Sequence, residues 1–178
     1  MKLKEVSRIE SGKNVNRLNK NKLANQYTSL DAENDFYLMG KETEQCSNII
    51  AFDLYPKIGN SSARVISEEN SSKIILNQKM CKIIVDGTIA SAYYICYLLN
   101  EDESVKKQKN SFLQGSFIER LQPSILSNLE IQLPSLKEQR LMGKIYVKSI
   151  YNNYLKKKLS DMELVRSKAF LRKIKDKQ

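Results

Sequence analysis

The sequence predicts an α/β (α+β) body over residues 1–134, followed by one long helix over residues 135–178 that pairs as a coiled coil. Three observations carry that expectation. Short runs rich in Ile and Val, separated by Asn, Ser and Gly, crowd the first part of the chain and have the length of strands. A capping box, Ser135-Leu136-Lys137-Glu138, follows directly on Pro134. Beyond it there is no proline and Gly143 is the only glycine, so nothing breaks a helix before about Lys173.

In chain order, Lys2–Val6 and Ile9 lead into a Ser11-Gly12 turn. Asp31, Glu33 and Asp35 alternate like a metal loop but lack its glycine and closing Glu, which predicts a solvated acidic turn. The β-like runs are Asn48–Leu54, Ala63–Ser67, Lys73–Asn77 and Cys81–Val85, with the clearest turn at Ile58-Gly59-Asn60-Ser61-Ser62. Ser91–Asn100 lacks strict alternation, and its length favours a buried helix. Glu101–Asn110 is polar and charged and reads as a loop. Gln122-Pro123-Ser124 breaks the chain, a helical turn runs through Leu126, and Leu129–Leu133 alternates as a strand up to Pro134.

A final helix of about 38 residues would be roughly 57 Å long, more than a body of this size can cover. Its apolar residues Met142, Ile145, Leu155, Leu159, Met162, Val165 and Ala169 recur mostly at three- and four-residue steps, with a weaker middle at Ser149 and Asn152. That is an imperfect heptad seam and marks a dimer helix. A helix folded back on its own body is the alternative.

Composition bounds the chemistry. The chain has 178 residues, 41% hydrophobic and 28% charged, enough for one domain with a core and an appendage. The longest apolar run, Ile89–Leu99, is about half of what a membrane span needs. The charged start carries no apolar signal core, so a cytoplasmic protein is expected. Cys46, Cys81 and Cys96 are too scattered for a metal site, and the last two sit in apolar runs as expected of buried free thiols. The absence of histidine excludes imidazole-based nucleophile activation and His zinc sites. No acid-x-Lys triplet, no GxxxxGK and no glycine-rich loop with a polar-Pro-Pro-aromatic partner can be found. A binding protein with no catalytic residues, no metal and no cofactor is the expectation.

The net charge of +10 is unevenly placed: residues 1–22 carry seven Lys/Arg against two acids, residues 23–134 ten against fourteen, and residues 135–178 thirteen against four. Concentrated positive charge suits a phosphate-binding partner, although basic ends with no partner are common.

Gln114-Gly115-Ser116, Phe117–Leu121, Leu126–Leu133 and then Leu133-Pro134-Ser135-Leu136-Lys137-Glu138-Gln139 together resemble the end of a target-recognition domain in the specificity (S) subunits of type I restriction–modification systems. The opening Lys2–Gly12, the run containing Asp53, Leu76-Asn77 and the Tyr97-Leu98-Leu99-Asn100 helix end are similar to that family as well. The most specific part is the junction at residues 133–139. Two departures stand out: such subunits usually hold two recognition domains and two helices, whereas one of each is present here, and Phe52-Asp53 replaces the usual Gly-Asp.

The resemblance implies a half-length form: a recognition domain touching double-stranded DNA in the major groove, with its helix antiparallel on a partner helix. The implied assembly is a homodimer through the C-terminal helix that carries DNA methyltransferase (M) subunits and restriction (R) subunits and has no membrane partner. A truncated or regulatory fragment acting only through protein–protein contacts is the alternative. For the DNA contacts themselves, chemistry points to the dense basic and amide run of Lys13, Asn14, Asn16, Arg17, Asn19, Lys20, Asn21 and Lys22. Lys57, Asn60, Ser61, Ser62 and Arg64 form a second candidate turn. Tyr27, Tyr55, Tyr93 and Tyr94 read as core or rim packing.

Overall fold

The most apolar of the strand runs becomes the middle of a sheet. The computed structural model describes residues 1–14, 26–27, 29–41, 47–55, 63–67, 75–113 and 120–176. Strands β1 (Ser7–Ser11), β2 (Ile49–Asp53), β3 (Ala63–Val65) and β4 (Met80–Val85) form an antiparallel sheet in the order β1-β4-β2-β3. Register pairs Ser7 with Val85, Ile50 with Ile83 and Ala51 with Arg64. Successive side chains point to opposite faces. Ile50, Phe52, Cys81, Ile83 and Val85 therefore enter the main core, while Ala51 and Met80 join Tyr27, Ile66 and Leu76 in a second cluster.

Helix α1 (Ser29–Leu38) holds the acidic alternation that the sequence suggested was a turn. It is no solvated turn at Asp35, which is buried and accepts a hydrogen bond from the Tyr27 hydroxyl at 3.0 Å. Helix α2 (Ala92–Glu101) is buried almost all round, as its pattern predicted. The expected loop at Glu101–Asn110 is instead helix α3 (Glu103–Leu113). Its polarity concealed two anchors: the Asp102 carboxylate accepts from the Val105 amide at 3.0 Å as a cap, and the Val105 and Lys109 side chains are buried.

The short helix α4 (Pro123–Ser127) forms as expected, but Leu129–Leu133 does not become a strand. Glu130 makes an isolated bridge with Lys2, the Leu3 amide donates to Leu129 O, and the Ile131 amide to Met1 O. The alternation is real, since Leu129 and Ile131 are buried, but the partner segment curls into a 3-10 turn at Leu3–Glu5 and ends the ladder. Of the predicted run Lys73–Asn77, residues 73–74 lie outside the described residues, and Ile75 and Asn77 make isolated bridges with Gln26 and Lys13.

Helix α5 (Leu136–Lys175) runs for 40 residues, about 60 Å. Its capping box is present: the Ser135 amide donates to Glu138 Oε2 at 3.0 Å and the Glu138 amide to Ser135 Oγ at 3.4 Å. The Ser135 hydroxyl, which donates to Glu138 Oε2 at 2.6 Å, and then the Ser135 amide hold the Glu138 carboxyl below the usual range. Buried Gln139 donates to Pro134 O and Ile89 O and accepts from the Ser91 amide, tying the helix start to the segment that leads into α2. At Gly143 the two helices nearly touch, for an added Cβ would lie 2.8 Å from both Tyr93 Cβ and Tyr94 N. Tyr146 and Val147 complete the docked part, and the stacking of Tyr37 on Tyr154 at 4.8 Å is the last ring contact with the body. From Leu155 to Asp176 every residue is exposed.

Candidate nucleic-acid interface

One end of the sheet gathers chain segments that are far apart in sequence. Antiparallel pairing puts the last residues of β1 and β2, Ser11 and Asp53, beside Cys81 and Met80 at the start of β4. The Gly12 amide donates to Met80 O, the Lys13 amide to Leu76 O, the Leu54 amide to Lys79 O and the Leu121 amide to Leu54 O. A tight turn over residues 77–80 is closed by the Met80 amide on Asn77 O and by the Lys79 amide on Asn77 Oδ1. The result is a hydrogen-bonded platform from residues 12–13, 54–55, 76–80 and 120–121. It presents Lys13, Tyr55, Gln78, Lys79 and Arg120 to solvent.

Of the residues expected to contact DNA, Lys13 and Asn14 stand at this end of the sheet. Arg17, Lys20, Asn21, Lys22, Lys57, Asn60, Ser61 and Ser62 lie outside the described residues. The described residues next to them in sequence, Asn14, Tyr55 and Ala63, stand at the same end.

Arg64 departs from the expectation of an exposed turn. Strand β3 begins at Ala63, and its alternation turns Arg64 onto the face of Ala51, where only 6% of it is exposed. Its guanidinium donates to Asp53 Oδ2 at 3.0 Å and lies 5.9 Å from the centre of the Tyr27 ring. A buried cation needs such a partner, and Asp53 supplies it to Arg64 within the body. Burial, followed by the Asp35 carboxylate, raises the pKa of the Tyr27 hydroxyl, so it remains a neutral donor.

Tyr93 and Tyr94 are buried, their hydroxyls donating to Met39 O and Gln132 O, in line with packing roles. Tyr55 is 41% exposed and rests against Arg120, whose guanidinium carbon lies 5.8 Å from the ring centre. Arg120 Nη2 also donates to Gln78 O at 3.4 Å. Sequence reasoning passed over Lys79 and Arg120, although Asn77-Gln78-Lys79 between two apolar runs carried a readable turn signal.

Cys81 and Cys96 are buried free thiols, as expected; Cys46 lies outside the described residues. Burial, with a contribution from Asp53, pushes the Cys81 thiol up to about 12, and burial raises Cys96 too. Neither provides a thiolate nucleophile at neutral pH. Among the described residues, no helix is long and apolar enough to cross a membrane.

The seam expected for a dimer helix lies bare along α5. Met142 and Ile145 face solvent on the docked part, and Leu155, Leu159, Met162, Val165 and Ala169 do so on the projecting part, with Leu159 58% and Val165 66% exposed. Large apolar side chains exposed in such numbers on one projecting element exceed the scattered apolar residues of an ordinary surface.

A family model described as the type I restriction modification DNA specificity domain matches residues 1–162 of the chain. No curated protein matches it.

Proposed function

The chain belongs to the family of type I restriction modification DNA specificity domains, and on that premise we propose that it reads DNA sequence as a homodimer of half-subunits. In that role residues 1–134 are the target-recognition domain and residues 135–178 the dimerisation and spacer helix. The dimer brings methyltransferase and restriction subunits to a split site in cytoplasmic DNA, and the chain itself does no chemistry. The observation that carries this reading is the bare apolar seam of α5 beyond the body. A single small body touches only a few base pairs, too few to specify a site among the competing sites of a genome. Two copies related by a twofold axis read both halves of a symmetric site, with the paired helices setting the gap between the halves. Burying the seam in a second copy contributes roughly 1.5–3 kcal/mol per large side chain before entropic losses.

Selection from a random duplex library, using the chain together with its methyltransferase subunit, tests the proposal. Enrichment of a twofold-symmetric, interrupted sequence supports it. A tight complex with the methyltransferase and no enriched sequence would replace it with a regulatory fragment that acts by protein contact. The purified chain with magnesium and S-adenosylmethionine is expected neither to methylate nor to cut DNA.

A further inference from the structure

We infer that Arg120, held over the ring of Tyr55, reads a base edge, and that Lys79 beside it contacts the phosphate backbone; this rests on the DNA-reading function proposed above.

Three features of the platform lead there. Its backbone is fixed, because Leu54 is bonded to Lys79 and Leu121 to Leu54, so the neighbours Tyr55, Lys79 and Arg120 project from a cross-linked surface. The Arg120 side chain is itself oriented, by the ring 5.8 Å away and by the bond to Gln78 O. One guanidinium nitrogen is used there, while a guanidinium has five N–H donors in a planar fork. Finally, neither Tyr55 nor Arg120 is spent on the core, since both are exposed. A large ring kept at the surface to support an arginine has little value for folding.

A planar fork of known orientation suits the two acceptors on the major-groove edge of guanine, which require two parallel donors. A phosphate needs only charge within reach, which Lys79 supplies from the tip of its turn. Tyr55 acts as a positioning residue, holding the plane of the guanidinium before DNA arrives.

The test uses the chain with its methyltransferase subunit and a random duplex library, followed by titration of the selected site over a range of salt concentrations. Arg120→Ala and Arg120→Lys are both expected to lose about tenfold or more in affinity for that site. Both are also expected to relax the preference at one position in each half. Arg120→Lys retains the salt slope of the unsubstituted chain, because its charge remains but its fork does not. Tyr55→Ala relaxes the same position to a smaller degree. Lys79→Ala weakens all sequences alike and lowers the salt slope by about one. If Arg120→Lys keeps the selected sequence and stays within twofold in affinity, Arg120 does not read a base and the inference is overturned. If the unsubstituted chain selects no sequence, the proposed function falls first and this inference with it.

Discussion

Asn100 offers a sharp test of how the body is held together. Its amide spans the outer side of β3: the Ala63 amide donates to Asn100 Oδ1 at 2.8 Å, and Asn100 Nδ2 donates to Ala63 O at 2.8 Å. The same nitrogen donates to the Tyr146 hydroxyl on α5 at 2.9 Å. One side chain thus supplies an extra rung to an edge strand of three residues and ties the long helix to it. Asn100→Leu keeps the branched outline with the same number of heavy atoms, so no cavity term enters. It does leave the N–H and C=O of fully buried Ala63 without their partner. Each orphaned buried group costs about 1–3 kcal/mol, and with the bond to Tyr146 the expected loss is roughly 3–5 kcal/mol. That is a large part of the about 5–15 kcal/mol by which domains are stable. Urea unfolding followed by circular dichroism should show a lower midpoint at an unchanged slope. A double-mutant cycle with Tyr146→Phe should reveal a coupling of about 0.5–3 kcal/mol. A loss below about 1 kcal/mol would mean that water replaces the amide at Ala63, and the argument for an internal rung would fail.

Three other outcomes follow from the same geometry. Gly143→Ala should destabilise by about 1–3 kcal/mol through overlap with the Tyr93–Tyr94 backbone, although propensity alone predicts a gain of about 1 kcal/mol; a raised midpoint would refute the close crossing. Changing Leu155, Leu159 and Met162 together to Glu should give a folded monomer by light scattering where the unsubstituted chain is a dimer, and an unsubstituted chain that is monomeric without other subunits would remove the dimer seam. The Cys81 thiol is raised from 9.0 to about 12, so its contribution to stability is complete below pH 9 and lost as pH climbs towards 12. Unfolding measured across that window should therefore flatten in Cys81→Ala, and an unchanged pH slope would contradict the burial.

Much of this architecture is written locally. The start of α5 is legible because the Ser135 hydroxyl and Glu138 carboxylate meet within one turn, whatever the rest of the chain does. The strands β2, β3 and β4 and helix α2 are legible because a buried element must be apolar along its own length. The exposed seam of α5 was equally plain, since no body of this size can cover so long a helix.

Other features depend on partners distant in sequence. Helix α3 looked like a loop because its hold comes from one cap and two buried side chains rather than from an apolar face. Arg64 looked exposed because charge normally stays in water, and only the register of β2 with β3 brings Asp53 within reach to permit its burial. The candidate reading surface is the furthest from local legibility. Tyr55, Lys79 and Arg120 lie in three separate stretches, and they meet through the hydrogen bonds from Leu54 to Lys79, from Leu121 to Leu54 and from Arg120 to Gln78 O. Residue types and short-range spacing determine which elements form. Strand register determines which side chains those elements share, because the free energy of pairing belongs to both strands and is written in neither.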